Sequence, residues 1–283
     1  MGSKNMGPVL KAYCATHYAP GKRDLYAAFA LRCCELARPD GYVGMVTQQS
    51  WLLLHTFAAF RAGSEDDPHE DRTGVLYSTT IEALAHLGPR AFAEVGGEVV
   101  NTVLFTFRQT APTPQHHLSA LRCVEAAGPS EKEALLAEGA SSGRFYKTRQ
   151  IGLHSIPGSP VVYWLSPELL ALFQEGQRFQ AVLKTKQGVV TGNNDRFLRY
   201  HWEAPEGRGY TVCLKGLGYQ RWYGFTDLVI EWKTAQLKIA RFDVGRIKQQ
   251  SDFVRQGWSY SSMAQGAMSP REYQPGWVYD VVD

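Results

Sequence analysis

A chain of 283 residues, 44% hydrophobic and 12% aromatic, can build one large core or two moderate ones. It has no apolar run of about 18 residues, so no transmembrane helix is expected, and no basic-then-apolar start typical of a secretory signal. The net charge of +3 hides an uneven split: residues 1–139 hold 12 Lys and Arg against 15 Asp and Glu, and residues 140–283 hold 18 against 12. A basic second half suits a polyanionic partner and equally suits ordinary surface variation.

Pro8 to His17 is predicted helical, with Pro8 in its first turn. The segment Arg23–Leu54 predicts a helix with apolar side chains at Leu25, Phe29, Cys33 and Leu36, then a turn at Pro39-Asp40-Gly41. A short apolar strand follows at Tyr42–Val46, of the kind covered on both faces in a parallel sheet. Its polar end, Thr47, Gln48, Gln49 and Ser50, lies where open α/β sheets bind ligands. Trp51 to Arg61 reads as helix, Gly63 to Thr73 as an acidic surface loop, and Thr79–Leu87 and Glu98–Arg108 as strands. This order suits the second half of a doubly wound sheet with a final hairpin-like strand.

Ser130 and Glu133 have capping-box spacing for a short helix ending at Glu138. A boundary is expected near Ala140–Gly143, giving domains 1–139 and 140–283. Gly139 to Gly143 spells G-x-S-x-G, but in a polar linker without the preceding strand and following helix that a nucleophile elbow needs. Ser166-Pro167-Glu168 predicts a helix start. Beyond it come short, glycine-punctuated segments dense in Arg, Lys, Trp and Tyr, which predict a mixed α+β, β-leaning domain with long loops. There is no GxGxxG and no P-loop. The five cysteines (Cys14, Cys33, Cys34, Cys123 and Cys213) form no Cys-x-x-Cys pair and read as reduced thiols of a cytoplasmic protein. His116-His117 has no acid or thiol at ligand spacing, so no metal site is expected.

The segments MGSKNM, GKRDLYAAFALRCCELARPDGYVGMVTQQSW, IEALAHLGPRAFAEVGGEVVNTVLFTFR, GVVTGNNDRFLRYHW and YQRWYGF occur in this order over essentially the whole chain. Together they resemble the adenine-specific DNA methyltransferases of BREX phage-defence systems (PglX-like), relatives of the larger restriction–modification methyltransferases. The resemblance implies an α/β fold class: the C-terminal half of a Rossmann-like class I methyltransferase sheet, followed by a truncated target-recognition domain. It also implies S-adenosylmethionine as methyl donor and double-stranded DNA as partner. In that family an Asn-Pro-Pro-Tyr motif precedes the MGSKNM-like segment and bonds the amino group of a flipped adenine. The glycine-bearing strand that holds the donor lies further upstream. Neither occurs in these 283 residues. No catalytic residue is therefore assigned, the donor's main site is expected to be missing, and the chain alone is expected to be inactive.

By the same resemblance, Asp24, Leu25 and Tyr26 form a partial wall of the donor pocket, and Gln48 and Gln49 lie beside the target-base cleft. Phe92 aligns with an aromatic that stacks on the extruded adenine, the alternative being a loop aromatic folded inward. Trp51 is expected to pack beneath the sheet. In the second half, Lys184, Lys186, Thr191, Asn193, Asn194, Arg196, Arg199, Arg221, Trp222 and Tyr223 are DNA-binding candidates. Their residue types bind phosphates, read base edges and offer aromatic faces. For Asn193–Asp195 plain turn chemistry is an equal reading. Two other functions stay open: a non-catalytic DNA-binding or complex-forming module completed by an N-terminal methyltransferase half or other defence-system subunits, and a non-functional gene fragment. A half-sheet would leave the Tyr42–Val46 strand with an apolar free edge and the chain poorly soluble alone.

Overall fold

The computed structural model describes residues 2–63, 73–93, 100–177, 179–182, 188–215, 219–239, 241, 246–247, 256–261 and 267–279. They fall into two compact units, Met1–Gln177 and Arg178–Asp283. The expected boundary near 140 lies inside the first unit. The reason is the strand Phe145–Arg149, which pairs with His117–Arg122 and so ties the segment after 140 to the first sheet.

The first unit opens with helices α1 (Pro8–His17) and α2 (Leu25–Leu36), strand β1 (Tyr42–Gln48) and helices α3 (Ser50–Leu53), α4 (Ala58–Ala62) and α5 (Val75–Ser78). It continues through β2 (Thr80–Gly88), β3 (Thr102–Arg108), β4 (His117–Arg122), α6 (Pro129–Glu138), β5 (Phe145–Arg149) and α7 (Pro167–Glu175). The sheet order is β1-β3-β2-β4-β5. Strand β3 runs antiparallel to both β1 and β2, so β1 and β2 point the same way. Strand β4 is parallel to β2.

Because side chains alternate along a strand, Val43, Met45 and Thr47 share a face with their partners Phe107, Phe105 and Val103. That face forms the main core with Ile81, Leu118 and Ala120. Trp51 is fully buried there, edge-on to Phe60, Phe105 and Phe107 at 5.3–5.8 Å. From α2, Ala27, Ala30 and Cys34 are buried against these rings, with Tyr26, Leu31 and Cys33 packed partly buried beside them. Of the expected stripe, Leu25 and Cys33 pack partly buried against core clusters, whereas Phe29 is 54% and Leu36 68% exposed.

The second face of the sheet differs from the two-sided cover expected of β1. Tyr42, Gly44 and Val46 are exposed. Val46 borders an open apolar trough of about 530 Å³ with Gly44, Ala83, Ala85, Leu104, Thr106, Ser119, Leu121, Leu136 and Phe145. Among the described residues β1 is an edge strand, paired only with β3.

The predicted helix over Trp51–Arg61 is broken at Leu54, whose backbone is extended (φ −64°, ψ 135°). A break strands carbonyls that a continuous helix would satisfy. Buried Arg61 satisfies them, donating from Nη1 to the carbonyls of Trp51 (2.7 Å) and Leu54 (2.9 Å) and from Nε and Nη2 to that of Gly158. The capping box at Ser130 and Glu133 does not form. Pro129 already occupies the first helical turn behind Gly128, so Ser130 sits inside α6. Ser166, in contrast, caps α7 as its sequence predicts, accepting from the Leu169 amide. Gly139–Gly143 is a turn between helix and strand, the reverse of a nucleophile elbow. No two of the five cysteines are joined to each other in a disulfide.

The second unit carries α8 (Phe179–Val182), β6 (Val189–Val190), α9 (Asn194–Phe197), β7 (Leu198–Tyr200), β8 (Tyr210–Leu214), β9 (Leu228–Glu231) and α10 (Trp232–Ile239). Strands β10 (Arg246–Ile247), β11 (Gly257–Ser259), β12 (Arg271–Tyr273) and β13 (Val278–Tyr279) follow. A mixed sheet of order β13-β8-β9-β7 is its centre. Val189, Phe197, Leu198, Cys213, Ile230, Ala235, Ile239 and Val278 form its core. Short strands and small paired ribbons match the mixed α/β, β-leaning texture read from the sequence.

Candidate functional site

Since β1 and β2 are parallel, the chain leaves both at the same end of the sheet. Gln48 ends β1, Gln49 and Ser50 follow it, and the turn bearing Phe92 follows β2. The structure also brings Tyr26 here from α2. Its hydroxyl lies 2.9 Å from Ser50 Oγ, which lies 3.4 Å from Gln48 Oε1. As that oxygen only accepts, Ser50 donates to it and receives the Tyr26 proton. The Tyr26 ring stacks on Phe57 at 5.7 Å, and burial raises its phenol pKa further above neutrality.

The rest of the Asp24–Tyr26 block has local duties. Asp24 caps α2 by accepting from the Tyr26 amide at 3.4 Å. Leu25 packs against Met6, Cys14 and Ala28. Phe92 is 43% exposed, so it is not folded into the core. Its turn begins with positive φ at Gly88 (70°) and Arg90 (54°). The root of that turn is fixed by buried Lys132, whose Nζ donates to the carbonyls of Leu87, Cys123 and Ala126 at 2.7–3.1 Å.

One buried network at this end is not marked by any sequence motif. His86, at the end of β2 and 3% exposed, has Nε2 at 2.7 Å from Gln49 Oε1 and Nδ1 at 3.0 Å from the Tyr163 hydroxyl. An amide oxygen only accepts, so His86 donates from Nε2, and its Nδ1 lone pair receives the Tyr163 proton. Burial, helped by the nearby Arg122, lowers the His86 pKa to about 4, so the ring is neutral at pH 7. Tyr163 stays protonated because burial raises its pKa. Trp164 closes the network, with the Arg122 guanidinium 4.7 Å over its ring. With its oxygen committed to His86, the Gln49 carboxamide has its NH₂ group as the remaining donor. The available signal was a lone histidine near the carboxyl end of an apolar strand.

In the second unit, Lys184 and Lys186 lie outside the described residues. The Thr191–Arg199 segment is a capped turn. Thr191 donates to Asn194 Oδ1 at 2.6 Å, and Asn193 Oδ1 accepts from the Arg196 amide at 3.0 Å, capping α9. Arg199 donates from Nη1 to the carbonyls of Asp195 and Leu198. The turn chemistry read from Asn193–Asp195 is thus present. Arg221, Trp222 and Tyr223 are all exposed. Among the described residues, no group of three or more His, Cys, Asp or Glu could hold a metal, and no helix is long and apolar enough to cross a membrane.

No family model matches the chain. The expected resemblance to PglX-like methyltransferases is borne out by curated relatives. The chain is 29% identical over 99% of its length to the adenine-specific methyltransferase PglX of Lacticaseibacillus casei (strain Zhang). It is 26% identical, again over 99% of its length, to the adenine-specific methyltransferase BrxX of Escherichia coli O9:H4 (strain HS). It spans 24% and 23% of the lengths of these two relatives. Among solved structures, the type IIG restriction endonuclease BpuSI is 10% identical and matches 82% of this chain and 31% of its own, with a TM-score of 0.38. A chain from a type I R-M system is 14% identical and matches 51% of this chain and 31% of its own at 0.29. At these scores the structural likenesses carry no argument.

Proposed function

We propose that this chain is a portion of a site-specific N6-adenine DNA methyltransferase, dependent on S-adenosylmethionine and belonging to a BREX-type phage-defence system. The observation that carries this reading is the similarity to two adenine-specific methyltransferases over 99% of the chain. The first unit is read as the later strands of a Rossmann-like catalytic sheet. Parallel β1 and β2 with antiparallel β3 between them are consistent with this, as is the polar cluster where β1 and β2 end. The second unit is read as part of a target-recognition domain.

In this reading Gln48, Gln49 and Phe92 border the pocket for the target base. Gln49 offers its NH₂ group to an acceptor on the base, and Phe92 offers a ring face. Methylation of an exocyclic amine needs the base out of its stack and acceptors that draw density onto its nitrogen. The amide oxygens at this end, Gln49 Oε1 and Gln48 Oε1, already accept from His86 and Ser50, so these residues support base reading more than nitrogen activation. The donor supplies the methyl group in such chemistry. Asp24, Leu25 and Tyr26 do not fit it as a binding set, because the first caps a helix, the second packs inward and the hydroxyl of the third is bonded to Ser50. They supply a wall at most.

The 283 residues contain no Asn-Pro-Pro-Tyr, so on their own they are proposed to transfer no methyl group. The exposed apolar face of β1 and its edge, unpaired among the described residues, suit a covering polypeptide, such as the remaining part of a methyltransferase sheet. Calorimetry with S-adenosylmethionine and a DNA methylation assay test the reading. Weak or absent donor binding and no methylation are expected of the purified chain. Tight donor binding or turnover by the chain alone would contradict the proposed division of labour.

A further inference from the structure

An aromatic corner stands on the second unit, built on strained backbone. Trp222 has φ +74°, a left-handed conformation that a bulky side chain rarely adopts, and Phe225 follows at +56°. The strained residue is clamped on both backbone groups. Its amide donates to the Pro270 carbonyl at 2.7 Å, and its carbonyl accepts from the Glu272 amide at 3.0 Å. The clamp rests on Arg271, itself 2% exposed, which donates to the Gln220 carbonyl and to Ser269 Oγ and Ser261 Oγ, with its guanidinium 4.8 Å over the Phe225 ring.

All this order holds a side chain that is 63% exposed. Burial does not repay the strain, since the Trp222 ring is mostly in solvent. What the geometry does secure is orientation. Trp258, 53% exposed on β11, stands 6.3 Å from Trp222 with ring planes at 80°. Perpendicular rings form a corner with open faces, too close to admit a ring between them. Exposed Arg221 adjoins Trp222, tied by Nε to the Met268 carbonyl and lying over the Tyr219 ring at 5.5 Å. The carboxylate opposite Trp258, Glu272, accepts from Gln256. Residues 178–283 hold 15 Lys and Arg against 10 Asp and Glu, so the unit as a whole is basic.

We infer that Trp222 and Trp258 form a stacking site for one unpaired nucleobase of DNA, with Arg221 placed for the adjoining phosphate. The site rests on the DNA reading above and adds its mode: an aromatic face for a base outside the duplex stack, beyond phosphate contact alone. A planar base with a phosphate attached matches a ring corner beside a cation, and any base can use it because every base has a π-face.

The test uses the full 283-residue chain and two duplexes of equal length, one fully paired and one with a single unpaired adenine. Binding is followed by tryptophan fluorescence. The wild type is expected to bind the unpaired-adenine duplex more tightly and with quenching. Trp222→Gly is expected to lose that preference, by roughly tenfold in affinity for the unpaired-adenine duplex, with an unchanged salt slope. Its melting temperature is expected to equal or exceed that of the wild type, because glycine adopts positive φ without strain. A merely structural Trp222 would lower the melting temperature and weaken both duplexes alike, which would overturn the site. Should Trp222→Gly melt lower, Trp222→Tyr decides: a retained preference supports stacking, and its loss overturns it. Binding of both duplexes with Trp222→Gly unaffected removes the stacking site alone, whereas a wild type that binds neither removes the DNA reading as well.

Discussion

His86 Nε2 donates to Gln49 Oε1 across 2.7 Å, joining the ends of two parallel strands through side chains 37 residues apart. In the neutral ring the other nitrogen, Nδ1, accepts from Tyr163, and it is this second bond that protonation would remove. A buried imidazole held near pKa 4 binds a proton less readily than the same group in the unfolded chain, near 6.5. The unfolded state therefore takes up more protons between these values, and stability falls as pH drops from about 6.5 to about 4.

The expected size of that loss is roughly 2–3 kcal/mol, measured as the pH dependence of the urea midpoint. His86→Gln should flatten this part of the profile. An unchanged profile in the variant would mean that His86 is not the group that titrates.

Arg61 is a buried cation whose pKa burial lowers to about 10, so it stays charged at neutral pH. Its guanidinium satisfies the carbonyls of Trp51, Leu54 and Gly158. Arg61→Met should take this donor from the Trp51 and Gly158 carbonyls, the Leu54 carbonyl keeping the Phe57 amide, and destabilise the first unit by about 3 kcal/mol or more. Arg61→Lys should recover only part of the loss, because one ammonium cannot reproduce the planar fork. Urea denaturation of the two variants checks both statements.

Val46 is 55% exposed on an edge strand beside an apolar trough. Val46→Lys should raise the solubility of the isolated chain and leave its melting temperature within about 2 °C, since lysine on an edge discourages strand addition. Light scattering at rising concentration makes the comparison. A wild-type chain that is already monodisperse and highly soluble would count against the uncovered face as a partner surface.

Much of this arrangement was legible in the residues. Pro8, Ser166-Pro167 and the Val-, Thr- and Phe-rich run ending at Arg108 state their elements through cap and strand chemistry. The face of α2 was legible only in part: Leu25 and Cys33 pack inward as apolar periodicity predicts, but Phe29 and Leu36 are exposed and the fully buried contacts are the small Ala27 and Ala30. The break at Leu54 was hidden for a similar reason: its compensation comes from Arg61 and from Gly158, far along the chain. At the candidate site, Gln48, Gln49 and Ser50 stood out as a polar strand end. The partner of Gln49, His86, comes from 37 residues away, and Tyr163, which bonds His86, from a further 77, a proximity that only the tertiary fold creates.

The central claim, that this segment belongs to an enzyme acting on DNA, meets its most direct test in salt-titrated binding of duplex DNA by the full chain. Binding at about 50 mM salt that weakens steeply by about 200 mM is expected, with a salt slope smaller by about one for each of Arg196→Gln and Arg221→Gln. No duplex binding at low salt, or binding indifferent to salt, would contradict it.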